Sequence, residues 1–236
     1  MTPGFKFSHF AVLTLIVLSG CSKEKAFREV PMDIITTKPC PTLYSNIINQ
    51  FPEYKNNMET HLSLFAATSG KEVLLQNASE VYLTFISEGA GLPNTFGWYT
   101  YDASSPPKSA SEVEVSVLFP HVSSQVLKQG DMLQLGDRPF KAGTVIGFFL
   151  ITNGWQNGTI DFSKTMLFTD SRLNPGLDQQ HVLFIEKTCG DIVLSFEDTI
   201  LGEGSDADFN DIIFTVTDNR DDLAASAFDL RTVVKM

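Results

Sequence analysis

Between residues 71 and 219 the apolar positions fall in short runs rich in Val, Ile, Phe, Tyr and Thr. Gly, Asn, Asp and Pro separate these runs, the pattern of an all-β fold. Ten of them read as strands: residues 72–77, 80–87, 95–102, 113–119, 131–136, 144–152, 165–169, 181–187, 191–198 and 212–218. In the second, Val81, Leu83 and Phe85 alternate with Tyr82, Thr84 and Ile86, so one face can enter a core. The sixth, "TVIGFFLIT", is apolar on both faces and reads as a central strand. Short strands between turn signals predict two packed antiparallel sheets, an all-β, jelly-roll-like sandwich over residues 71–219.

The chain ahead of the strands follows other patterns. Lys6 and the apolar run Phe10 to Gly20, too short to span a bilayer, predict a signal peptide over residues 1–20. Its end, "LSGC", has the form of a bacterial lipobox, which makes Cys21 the lipidation site and the mature N-terminus. Ser22 rather than Asp follows, which favours the outer membrane, and acyl chains at about 0.8 kcal/mol per buried methylene would anchor the chain there. Residues 21–41 mix charge, Pro and Thr without a period and predict a tether. In an N-terminal extension, residues 42–70, "TLYSNIINQ" can form a short helix stopped before Pro52. Residues 220–236 read as a C-terminal tail.

Charge and cysteines narrow the partners. The formal net charge of −11 becomes −12 once Lys6 leaves with the signal peptide, which repels nucleic acid and favours cations. With Cys21 lipidated, Cys40 and Cys189 remain as an even pair in a compartment that permits disulfides. Two readings fit them, a disulfide or two separate buried thiols.

The candidate chemistry lies in "FEDTILGEGSDADFNDIIF", Phe196 to Phe214. Asp206, Asp208 and Asn210 recur at every second position, with Asp211 behind them and Glu197 and Asp198 at the preceding strand end. A D-x-D-x-N run can curl its oxygens around one Ca²⁺, which takes six to eight oxygen ligands. It is not an EF-hand, because Asp211 stands where the turn glycine belongs and no Glu occupies the twelfth position. Mg²⁺ tolerates crowded protein cages poorly, and Zn²⁺ lacks nearby His or Cys. The competing reading is a solvated hairpin in which Asp and Asn serve only turns.

Several ordered motifs carry a resemblance: "SEGAGLPNTFGWYTYD" (87–102), "LFPHVS" (118–123), "LKQGDMLQLG" (127–136), "FKAGTVIGFFLITNGW" (140–155), "LNP" (173–175), "HVLF" (181–184) and "LSFEDTILGEGSDADFNDIIFTV" (194–216). Over about residues 80–218 the chain resembles the extracellular family catalogued as domain of unknown function 4114, also found in LruC-type bacterial surface proteins. The resemblance implies an extracellular β-rich domain with a cation site and no settled reaction. Glu88 and Asn94 fall in one of its recurrent motifs, and Glu88 is either a further cation ligand or the cap of a glycine turn.

Three functions compete. An enzyme would use Glu197 with Asp198 or Asp206 as the acid and base of glycoside hydrolysis, but acids clustered in one loop suit a metal better than a spaced pair. His121 and His181 lack a nucleophile elbow, so no enzymatic activity is expected. A binding or adhesion module would add an exposed aromatic, for which Trp155 between turn residues is the candidate. A structural envelope protein would use Ca²⁺ for stability alone. The expected partners are a membrane, through the lipid, and a glycan or protein ligand.

Overall fold

A computed structural model describes residues 27–219 and 227–236. The signal peptide and Cys21 lie outside the described residues. In chain order the main elements are β1 (Ile35–Thr36), α1 (Leu43–Gln50), α2 (Asn57–Thr60), α3 (Leu62–Phe65), β2 (Val73–Leu74), β3 (Tyr82–Glu88) and β4 (Asn94–Asp102). There follow β5 (Val115–Val122), β6 (Asp131–Gln134), β7 (Thr144–Ile151), β8 (Trp155–Gln156), β9 (Thr159–Ile160) and β10 (Met166–Phe168). The last are β11 (His181–Ile185), β12 (Ile192–Phe196), β13 (Ile212–Thr217) and β14 (Val234–Lys235).

Two sheets pack face to face. One runs β1-β6-β3-β13-β12-β11-β14, the other β10-β7-β4-β5 with β2 also on β7. All ten runs read as strands are strands, and the sandwich is antiparallel apart from β14, which lies parallel to β11. Phe96 of β4 and Phe214 of β13 meet across the sandwich with ring centroids 4.4 Å apart. Phe148, Phe196, Phe85 and Phe119 surround that pair. Aromatic rings bury large areas, so this cluster concentrates the hydrophobic stabilisation of the sandwich. Gly97 is required beside it, because a Cβ there would lie 2.2 Å from the Ser116 carbonyl oxygen and 2.5 Å from the Phe149 ring.

The strands β11, β12 and β13 are apolar on both faces for a visible reason. Leu183, Leu194 and Phe214 point into the sandwich, whereas Val182, Phe184, Val193 and Ile213 point outward beneath Leu43, Ile47 and Phe51 of the α1 segment. The extension at 42–70 is thus a third layer over the first sheet. A disulfide between Cys40 and Cys189, with Cα atoms 5.9 Å apart, fastens the entry of α1 to the β11–β12 hairpin.

The ends of the chain also join the sandwich. Ile35 and Thr36, inside the segment read as a tether, pair with Met132 and Asp131 of β6. Phe228 bridges Leu75 and is buried with Ala227 and Val233, so residues 227–236 are part of the domain and not a tail.

One polar group sits on the outer face of the second sheet. Part-buried Glu72 accepts hydrogen bonds from Tyr99 at 2.9 Å and Tyr101 at 2.6 Å. Burial pushes its carboxyl up from 4.5 to about 7, although the two tyrosine hydroxyls oppose the shift. The folded chain therefore holds this proton more tightly than the unfolded chain, so the contribution is complete below about pH 4.3 and is lost as pH rises through about 7. At about 1.4 kcal/mol per pKa unit, wild type is expected to lose up to about 3 kcal/mol relative to Glu72→Gln between pH 4 and 8. Urea denaturation at the two pH values checks this, and parallel pH dependences in the two chains would refute it.

Candidate metal centre

The acidic loop joins β12 to β13 and folds back against the N-terminal layer. Ala207 and Phe209 adopt positive φ angles of 59° and 57°, left-handed backbone that non-glycine residues seldom occupy. Such backbone costs on the order of 1–3 kcal/mol per residue and persists only where the surroundings enforce it. Here the Phe209 side chain is fully buried in the layer under α1, packed on Phe65 with centroids 5.0 Å apart.

Four hydrogen bonds fix the loop to residues 51–57. Asn57 donates its backbone N–H to the Ala207 carbonyl at 2.9 Å and its amide to the Asp208 carbonyl at 2.8 Å. The Tyr54 N–H donates to Asp208 Oδ2 at 3.0 Å, and the Asn210 amide donates to the Phe51 carbonyl at 2.9 Å. This docking carries Glu53 to the loop: one oxygen each of Glu53, Asp206 and Asp208 lie within 4.8 Å of one another. Glu53 is exposed, Asp206 part-buried and Asp208 buried.

The other expected ligands divide from this group. Glu197 is buried, and its carboxylate accepts from the Phe209 N–H at 2.5 Å and from the Ser205 hydroxyl, so it braces the loop from inside. Asp211 accepts from the Asp198 N–H at 2.8 Å, while Asp198 accepts from the Asn94 amide at 2.9 Å. Asn94 in turn accepts from the Asn153 N–H at 2.9 Å. Of the residues expected in a single shell, Asp206 and Asp208 thus stand with Glu53, Asp198 stands with Asp211, and Glu197 and Asn210 are bonded within the fold. The physical reason is that loop N–H donors and the Phe51 carbonyl already orient Glu197 and Asn210.

Two further residues stand elsewhere than expected. Glu88 pairs opposite Ile212, but its carboxylate accepts from the Ser124 N–H at 2.8 Å and so serves the turn after β5. Trp155 is buried, stacked on His121 with centroids 6.0 Å apart, in the hairpin closed by Asn157 and Gly158. It is not an exposed anchor: its backbone N–H donates to the Pro93 carbonyl at 2.8 Å, which ties the hairpin to the loop before β4, and the ring packs on His121. The exposed aromatic beside the acids is Tyr54, 85% accessible, with φ 58°.

Electrostatics explain what the loop lacks. Burial pushes the Glu197 carboxyl up to about 7, and Asp208 and Asp206 add to the rise. Burial also raises Asp208, and it raises Asp211 with the Asp198 carboxylate contributing. Among the described residues no Lys, Arg or His forms an ion pair with any of these carboxylates. The donor set is all oxygen, with a carboxylate trio open on its Glu53 side, and it fits a hard divalent cation such as Ca²⁺.

Comparison with known proteins agrees with the resemblance in the sequence. Residues 140–219 match the model of the family described as Domain of unknown function (DUF4114). That span runs from the approach to β7 through β13 and contains the acidic loop, whereas Glu53 and the layer that delivers it lie outside it. No curated protein and no solved structure matches the chain.

Proposed function

We propose that this chain is a Ca²⁺-binding β-sandwich module of the cell envelope, lipid-anchored through Cys21, whose acidic loop and Tyr54 form a ligand-binding surface. The observation that carries the reading is the convergence of Glu53, Asp206 and Asp208 with no ion-paired Lys, Arg or His among the described residues to offset them. Tyr54 is tied to the same group, because its N–H is held by Asp208, so an ion that orders Asp208 also orders an exposed ring. Flat apolar rings with a polar edge suit stacking on sugars or protein side chains. The hydrolase reading loses its acid, because Glu197 is 1% accessible and bonded to the loop on both oxygens.

Calorimetric titration of the full chain tests the site. One Ca²⁺ is expected, and Glu53→Gln should weaken it about tenfold, the 1.4 kcal/mol scale of one charge-assisted ligand. Glu88→Gln should leave it unchanged. A glycan and protein ligand screen with and without Ca²⁺ then tests the surface: Tyr54→Ala should abolish capture while Ca²⁺ affinity persists. Equal Ca²⁺ affinity in wild type and Glu53→Gln would overturn the assignment of the ion. Ca²⁺ binding without any Ca²⁺-dependent ligand would leave the ion as a structural clamp between the loop and residues 51–57.

A further inference from the structure

A second cluster lies at the opposite end of α1, where the Cys40–Cys189 bridge meets Asp191. One ligand atom each of Cys40, Cys189 and Asp191 falls within 4.8 Å of the others. Asp191 is 1% accessible, and neither of its carboxylate oxygens has a hydrogen-bond partner among the described residues. A buried carboxylate without partners is costly, and native folds pair such groups with donors or metals. The nearby Glu186 offers no relief, being itself an acceptor from the N–H groups of Thr188 at 3.1 Å and Cys189 at 2.7 Å. The Thr42 hydroxyl lies 3.7 Å from the Cys40 sulfur and 3.6 Å from the Cys189 sulfur.

We propose that this bridge is one state of a redox-switched metal site: reduced, Cys40 and Cys189 join Asp191 in holding a single Zn²⁺. Reduction by a dithiol breaks the Cys40–Cys189 S–S bond. The two sulfurs take up two electrons and two protons, and the reductant leaves as its own disulfide. Zn²⁺ then displaces both thiol protons to solvent and is held by two thiolates and one carboxylate oxygen, a donor set with the softness that selects zinc over calcium. Zn–S bonds of about 2.3 Å in tetrahedral geometry set the sulfurs about 3.8 Å apart. Thr42 or water is placed to fill the fourth position. The sulfurs are open to a reductant, since both cysteines are only part-buried and the flanking Thr188, Gly190 and Thr42 are exposed. Either state keeps α1 fastened to the β11–β12 hairpin, by a covalent bond when oxidised and by the metal when reduced.

The test uses the full chain with Ca²⁺ in excess, so that the acidic loop is filled, and a phosphine reductant that does not itself hold zinc. Zn²⁺ is titrated by calorimetry, and Co²⁺ is added in parallel to read thiolate-to-metal charge-transfer absorption. Reduced wild type should bind one Zn²⁺ that the oxidised protein does not. Asp191→Asn should weaken it at least tenfold, and Cys40→Ser should halve the charge-transfer intensity per bound Co²⁺. Should Asp191→Asn fail to fold, the Cys40→Ser intensity still decides. Reduced wild type binding no more Zn²⁺ than a Cys40→Ser, Cys189→Ser chain would overturn the proposal, as would unchanged affinity in folded Asp191→Asn or unchanged intensity in Cys40→Ser.

Discussion

Ca²⁺ at about a thousand times its Kd is expected to stabilise the wild-type chain by about 4 kcal/mol, because an ion that binds only the folded state adds RT ln(1 + [L]/Kd). For a domain of this size that is a rise in melting temperature of about 10 °C. The decisive comparison is with Asp206→Asn, Asp208→Asn, which removes two charges and keeps one side-chain oxygen at 208 for either the Tyr54 or the Asn210 N–H, the two being bonded to different oxygens of Asp208. In chelator the variant should lie within about 1 kcal/mol of wild type, since burial disfavours the charged form of Asp208 and Asp206 adds like charge beside it, and their removal offsets the one hydrogen bond lost. In Ca²⁺ wild type should be the more stable by most of the increment, because the variant loses it. Mg²⁺ should substitute poorly, its small octahedral shell fitting a loop of fixed carboxylates badly. Scanning calorimetry in Ca²⁺, Mg²⁺ and chelator reads all of this. An equal Ca²⁺ increment in both chains would place the ion elsewhere, and no response in wild type would leave the loop as a solvated hairpin.

The strands were legible because their information is local. The alternation of Val81, Leu83 and Phe85 and the doubly apolar "VIGFFLI" are set by which faces are covered, and the sandwich covers them as those patterns require. The helix at Leu43–Gln50 was legible for the same reason, although its use as a cover for Val182, Phe184 and Val193 was not. A double-sided apolar strand shows that something packs on each face, but not what packs there. The acidic loop was recognisable from charge crowding alone. Its division into two groups was not, because it depends on which backbone donors reach Glu197, Asp211 and Asn210 after folding.

Long-range partners were the rest of what the sequence withheld. Glu53 reaches Asp208 across about 150 residues, and nothing in "FPEYKNN" marks it apart from other surface acids. Trp155 sits among turn residues, which argues for exposure, yet the same turn folds the ring back onto His121. The ends joined the sheet through pairs too short to carry a period, Ile35 with Met132 and Val234 with Phe184.

Removing the Cys40–Cys189 bridge should have the largest effect of any change considered. The bridge spans 149 residues, and closing a loop of that length restricts the unfolded chain by about 5 kcal/mol in the chain-entropy account. Cys40→Ser, Cys189→Ser should therefore lower the melting temperature by about 10–20 °C under non-reducing conditions. The loss should not be spread evenly. The bridge holds the entry of α1, whose exit leads through Phe51 to Glu53 and Tyr54, so the variant should lose amide-exchange protection first over Leu43–Gln50. Loosening that layer should also weaken Ca²⁺ binding, since Glu53 arrives at the acidic loop only through the 51–57 contacts, whereas Asp206 and Asp208 remain in place on the sheet side. Hydrogen exchange and a Ca²⁺ titration on the same variant separate the two effects. A loss below about 1 kcal/mol, with α1 still protected, would mean that the apolar contacts of Leu43, Ile47 and Phe51 alone hold the layer.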